Sequence, residues 1–327
     1  MRLRRSDLGR PGYRRRCRGR AVVFVDLDGG PVTEPGELDR LRNLAIPPAW
    51  TDVWISPHPD GHIQATGIDA AGRKQYLYHP LWRVKRDEAK FDHVLVVADH
   101  LPTLRAQVDA DLAARGLSRA RVLATAARLL DLGMFRVGSD QYAAGDDPTF
   151  GIATLRPEHV STRKGGVVFE FPAKGGVEQV RQVCDADVCA VLRDLRRRRD
   201  GADRLLAYRE GRGWRDVRSD EINDYLREAS GAEMTAKDFR TWHATVLAAI
   251  QLAGAGPQHS ASARRRTVAR VMREVAELLG NTPAVARASY VDPRVVDLFH
   301  DGVLAEVAQG THRRTAERAV LDLLADA

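Results

Sequence analysis

Two periodicities divide the chain. Up to about residue 85 the apolar positions come in short runs, at 22–25, 53–56, 62–66 and 74–78, separated by turn signals such as Asp28-Gly29-Gly30 and Asp60-Gly61. Runs of that length between Gly- and Asp-rich breaks predict strands. One stretch, 37–44, places Leu38, Leu41 and Leu44 at three-residue spacing and stops before Pro47-Pro48, which predicts a helix. Beyond the charged stretch 85–90 the repeat becomes helical, with candidate helices at 101–115, 120–132, 185–198, 219–229, 238–253 and 262–279. Among them lies a β-like insert. Val167, Phe169 and Phe171 alternate there with other residues, between the turns Lys164-Gly165-Gly166 and Lys174-Gly175-Gly176. A further turn at Gly211 and Gly213 joins 205–208 to 214–217. The expected fold class is α+β: a small β-rich domain over 21–88, then a larger, mainly α-helical domain over 89–327 with a β-hairpin insert.

Composition refines this picture. A chain of 327 residues exceeds one ordinary core, and 44% hydrophobic with 29% charged residues is a globular balance. The net charge of +7 invites a polyanionic partner, but residues 1–20 alone carry +8, through nine arginines against Asp7, and the other 307 residues sum to −1. That arginine-rich start is expected to be a mobile tail. Three cysteines are too few for a disulfide framework, and the apolar run 21–25 is too short for a signal peptide or a membrane span. A cytoplasmic protein is expected.

Several familiar chemistries drop out. The string Asp26-Leu27-Asp28-Gly29-Gly30 has the carboxylates of a phosphoaspartyl hydrolase, but Gly30 stands where Thr or Val belongs, so a turn is expected. His58 and His62 have helical spacing that Pro57 and Pro59 deny, and no third ligand is near, so no metal site is expected. Neither a Walker loop nor a dinucleotide fingerprint occurs. The informative residues lie in the helical half. They are the string Phe135-Arg136-Val137-Gly138-Ser139-Asp140-Gln141-Tyr142, Lys174 at its turn, the string Lys237-Asp238-Phe239-Arg240-Thr241-Trp242-His243-Ala244-Thr245, and Gly280-Asn281-Thr282-Pro283 followed by Arg287-Ala288-Ser289-Tyr290. Each alone has a bland reading: Arg136 as a surface ion-pair former, Lys174 as a solvated turn residue, Tyr290 as a packing tyrosine.

Together, in this order, these pieces resemble the type IB DNA topoisomerases of the bacterial and poxvirus-like branch. The resemblance extends to Ile46-Pro47-Pro48-Ala49-Trp50 and to Gly72-Arg73-Lys74-Gln75-Tyr76-Leu77-Tyr78, which look like that family's β-rich DNA-clamping domain. It implies that Tyr290 attacks a phosphodiester of double-stranded DNA to leave a 3′-phosphotyrosyl link. Arg136 and Arg240 would hold the nonbridging oxygens, and Lys174 would protonate the leaving 5′-oxygen. Asn281 stands where many members carry His; its amide can donate a hydrogen bond but cannot shuttle protons. Tyr142 and Lys237 match phosphate contacts, and Lys74, Gln75, Tyr76 and Tyr78 would face DNA from the other domain. The resemblance further implies a monomer that clamps DNA, with no metal, ATP or other cofactor. The nearest rival reading, a tyrosine recombinase, typically has His where Lys237 stands. A noncatalytic DNA-binding protein is the other alternative.

Overall fold

The computed structural model describes residues 1–18, 21–163, 165–198, 203–307 and 310–325. The chain divides into two compact units, Met1–Phe91 and Asp92–Ala327.

The first unit contains strands β1 (Tyr13–Arg18) and β2 (Ala21–Val25), helix α1 (Pro35–Asn43), and strands β3 (Thr51–Ile55), β4 (Ile63–Ile68) and β5 (Lys74–Tyr78). The strands form one antiparallel sheet in the order β2-β1-β3-β4-β5. Phe24, Leu41, Val53, Ile55 and Ala65 make its core, with Leu38 and Leu44 packed against them, so the leucine stripe of α1 lies on the sheet. The carboxylate of Glu34 caps the N-terminus of α1 by accepting from the N–H groups of Gly36 and Glu37.

The expected tail is a correction. Residues 13–18 form β1, an inner strand of the sheet, and the residues before it are tied down. Arg4 N–H donates to Asp60 C=O (2.9 Å), Ser6 N–H to His62 Nδ1 (2.8 Å), and Trp54 Nε1 to Arg10 C=O (3.1 Å). The arginine run hid a strand because alternating positions carried the same residue type. Arg14 and Arg16 are exposed, whereas half-buried Arg15 donates to the carbonyls of Ile46, Pro47, Pro48 and Trp50. Its stem can lie on apolar surface because its head finds carbonyl partners. Residues 19 and 20 lie outside the described residues.

Helix α2 (Pro80–Leu112) begins in the first unit and ends in the second. It starts 21 residues before the expected 101–115. Pro102 lies inside it, and a proline read from sequence looks like a helix start. The second unit continues with α3 (Arg119–Gly133), α4 (Asp140–Ala143), strands β6 (Val160–Arg163), β7 (Gly166–Ala173) and β8 (Val177–Val183), α5 (Ala186–Arg196), and the hairpin β9 (Ala207–Glu210) with β10 (Gly213–Asp216). It closes with α6 (Ser219–Ser230), α7 (Ala236–Ala255), α8 (Ala261–Leu279), α9 (Pro283–Ser289), α10 (Pro293–Asp301) and α11 (Arg313–Ala325). Helix α7, buried almost throughout, runs through the core of this unit.

The insert has three strands, not two: β6 joins the β7–β8 hairpin in an antiparallel sheet. Its inner face carries Val167, Phe169 and Phe171 on β7, paired with Val183, Arg181 and Gln179 on β8. Phe169 and Phe171 pack on Phe135, with ring centroids 5.0 and 6.0 Å apart. The expected turn at Lys164 falls partly outside the described residues. Among the described residues no helix is long and apolar enough to cross a membrane.

Candidate active site

Four of the five catalytic candidates meet in the second unit, at the C-terminal end of α8. That end is a Schellman-type stop: Gly280 adopts φ +61°, its N–H bonds Ala276 and Glu277 carbonyls, and Asn281 N–H donates to Ala276 C=O at 2.9 Å. A side chain at Gly280 would be strained and would also meet the amide of Gln179, 2.7 Å from its Nε2. Three arginines then hold three successive carbonyls. Arg181 Nη2 donates to Leu278, Arg240 Nη2 to Leu279 at 2.9 Å, and Arg136 Nη2 reaches Gly280 at 3.5 Å. The main contact of Arg136 is to Asn281 Oδ1, at 2.8 Å. Arg240 also donates from Nη1 to the carbonyl of Met134, the left-handed residue that ends α3.

The backbone of Arg136 is fixed from behind. Its carbonyl accepts from Ile152 N–H (2.9 Å), and that of Val137 from Ala153 N–H (2.7 Å). The close approach needs Gly138, at φ +86°, and Gly151, whose Cβ would lie 2.6 Å from the Arg136 carbonyl oxygen. Phe150 N–H in turn donates to Pro172 C=O on β7 (2.9 Å), which links this segment to the strand that leads to Lys174.

Tyr290 caps the end of α9, with its N–H on Ala286 C=O at 3.0 Å. Its carbonyl accepts from Thr245 Oγ1 at 3.2 Å, and the same hydroxyl accepts from Asp292 N–H at 3.1 Å. Since Thr245 and Arg240 both sit on α7, one helix positions the tyrosine and the guanidinium above it: Arg240 Cζ lies 5.2 Å from the Tyr290 ring centroid. Burial pushes the Tyr290 phenol up, but the charge of Arg240, then those of Arg136 and Lys237, outweigh it and leave the pKa below 10.0. Burial and the charge of Arg136 bring Arg240 down to about 10, so it stays a cation at neutral pH. Two buried donors, Arg240 Nε and Asn281 Nδ2, have no hydrogen-bond partner among the described residues.

Lys174 is not part of this cluster. It is exposed on the β7–β8 turn, where Gly175 and Gly176 take φ +86° and +71°, and no hydrogen bond or ion pair holds it among the described residues. Lys237 is exposed in the first turn of α7, and Tyr142 half exposed on α4. In the first unit, β5 presents Lys74, Tyr76 and Tyr78 on one side. Lys74 Nζ is 5.8 Å from the Tyr76 ring centroid, Tyr76 stacks on Tyr78 at 6.0 Å, and Arg86 covers Tyr78 at 5.6 Å. Gln75 alternates to the other side, where its amide donates to Asp69 at 2.8 Å. The Asp26 carboxylate accepts from Asp28 and Gly30 N–H groups, which makes that motif a turn, and His58 and His62 are engaged by Arg4 and Ser6. Arg181, Thr245 and Arg86 carry no distinguishing signal in the sequence. Arg181 follows the inward alternation of β8, but an arginine there gives no signal of its own.

Residues 77–301, more than half of the chain, match the family described as eukaryotic DNA topoisomerase I, catalytic core. The chain belongs to this family. Residues 22–69 match a second family, the N-terminal domain of bacterial DNA topoisomerase IB. DNA topoisomerase 1B of Acanthamoeba polyphaga mimivirus is 25% identical over 305 residues, which cover 89% of this chain and 88% of the viral protein. Fold, family and both matched segments define an isomerase of type IB acting on DNA.

Proposed function

We propose that the protein relaxes supercoiled duplex DNA with Tyr290 as the nucleophile. The phenol oxygen attacks a backbone phosphorus, the bond to the 5′-oxygen breaks, and the 3′-phosphate stays on the tyrosine. Strand rotation releases torsional strain, and the 5′-hydroxyl then attacks the phosphotyrosine to restore the backbone and free the phenol. The number of phosphodiester bonds is unchanged, so ATP is not consumed.

The observation that carries this reading is the placement of Tyr290 under Arg240, with the phenol pKa drawn down by unpaired guanidinium charge. A phenol near pKa 10 is a poor nucleophile at neutral pH, and cations that favour its anion also suit the charge that develops on the phosphorane. Arg136 and Arg240 donate to the nonbridging oxygens. The unpartnered Nδ2 of Asn281 is a further donor for the same group, in place of a histidine. Lys174 supplies the proton to the leaving 5′-oxygen; its exposed turn is free to close over DNA. Lys237 and Tyr142 contact flanking phosphates. The β5 side of Lys74, Tyr76 and Tyr78, with Gln75, contacts DNA from the first unit, so that one monomer in the cytoplasm clamps one duplex.

Relaxation of supercoiled plasmid in EDTA without ATP tests this, comparing wild type with Tyr290→Phe and trapping covalent adducts with detergent. Relaxation and an adduct in the wild type, both lost in the variant, are expected. Relaxation that survives the substitution would mean another nucleophile, and binding without relaxation by the wild type would mean a noncatalytic DNA-binding protein.

A further inference from the structure

The end of α8 holds more positive charge than two phosphate-binding arginines account for. Arg181 comes from β8, on the inward side, where its cross-strand neighbour is buried Phe169. Its Nη2 donates to Leu278 C=O and to Gln179 Oε1, and its Nη1 to Val180 C=O at 3.1 Å. All of these acceptors are neutral. The same holds for Arg136 and Arg240: among the described residues, none of the three has a carboxylate within ion-pair distance.

Three like charges on adjacent carbonyls repel one another. The partial charge of a helix C-terminus, about half an elementary charge, cannot balance three guanidiniums. Burial first, then the charge of Arg136, lower the Arg181 pKa. Arg105, the other fully buried arginine of this unit among the described residues, is by contrast neutralised directly by Asp131 and Glu317. The contrast marks the α8 end as a place where the counter-charge arrives from outside.

We infer that Arg181 is a third phosphate-binding residue of this site, donating to a nonbridging oxygen of the DNA backbone beside the one held by Arg136 and Arg240. The contacts to Leu278 and Val180 carbonyls set the fork in place, and the stem beside Phe169 fixes its direction. This rests on the DNA-cleaving reading of the site, but its test does not depend on the chemistry.

Equilibrium binding of the full chain to a duplex is measured over a range of salt concentrations. All proteins carry Tyr290→Phe, so that no adduct forms. One neutralised phosphate contributes about 0.9 to the slope of log K against log salt. Arg181→Gln and Arg181→Met are expected to reduce the slope by about that amount, and Arg181→Lys to keep it. The methionine variant preserves the stem packing should the glutamine variant fold poorly. With Tyr290 present, single-turnover cleavage is expected to fall at least tenfold in the glutamine and methionine variants and to recover in part with lysine. An unchanged slope in a folded neutral variant, or equal losses for lysine and methionine, would overturn the proposal. Failure of the wild type to form any adduct, with the slope change intact, would instead count against Tyr290 as nucleophile.

Discussion

At the scale of single residues, the site depends on side chains that never touch a phosphate. Thr245 bonds the Tyr290 carbonyl and the Asp292 N–H with one hydroxyl. Thr245→Val keeps the shape but leaves both groups unpaired in a buried place, which is expected to cost about 1–3 kcal/mol of stability. Because the tyrosine backbone is then released, cleavage should slow even where the protein remains folded, as single-turnover assays below the melting transition would show. Arg136, Arg240, Asn281 and Tyr290 were legible because their residue types and spacing resemble a family pattern. Thr245 closes the string that begins at Lys237 but has no role legible there, since threonine in a helix usually bonds its own preceding turn. Arg181 was illegible for another reason: its proposed role comes from two neighbours far away in sequence and from the lack of a carboxylate beside it among the described residues.

At the scale of elements, the stop of α8 is the organising feature. Gly280→Ala forces a side chain into the left-handed region and against Gln179. About 1–2 kcal/mol of destabilisation is expected from the backbone alone, measurable by denaturant unfolding, with a larger loss of cleavage because the carbonyls that hold the arginines shift together. Lys174 belongs to a different element and predicts a different signature. Lys174→Ala should slow cleavage of ordinary DNA but spare a substrate whose leaving 5′-oxygen is replaced by sulfur, which departs without a proton; equal slowing of both would remove the general-acid role. Most elements could be read from periodicity: α1, β5, α3 and α5 to α8 lie within a few residues of their expected bounds. Strand β1 could not, because arginine fills the inward position 15 as well as the outward positions 14 and 16. Strand β6 is short, with no alternation of its own, and α2 was cut by a proline that a long packed helix tolerates.

At the scale of the whole molecule, the second unit is held by a buried charge network drawn from four distant segments. Arg105 on α2 pairs with Asp131 on α3 and Glu317 on α11, Arg313 joins both carboxylates, and His243 on α7 lies 3.0 Å from Asp131. Two arginines balance two carboxylates, so the network is neutral only while His243 is uncharged. Burial first, then the charge of Arg313, hold its pKa below 6.5. The unfolded chain therefore binds this proton more readily than the folded one. Stability from His243 is fully present above pH 6.5 and is lost as pH falls toward the folded pKa, by at most about 1.4 kcal/mol per pH unit. Urea melts between pH 7.5 and 5.5 should show this decline, flattened in His243→Gln; an equal decline in both would assign the proton elsewhere. No sequence pattern joins positions 105, 131, 243, 313 and 317, which is why this part of the design was invisible beforehand. The charge count misleads in the same way: the basic excess of residues 1–20 suggests a tail, although residues 13–18 build an inner strand of a sheet.

Beside the side chains of Asn281 and Gln179, three peptide carbonyls grip the arginines at the end of α8. Information about the active site is thus stored in a form that genetic variation at those positions barely reaches. Leu278 has an exposed side chain, and replacing it leaves its carbonyl in place. A survey of point mutants would record position 278 as tolerant and overlook one of the contacts on which the site depends. Only chemistry that edits the main chain, such as an ester in place of the amide that follows Leu278, weakens that acceptor and exposes its contribution.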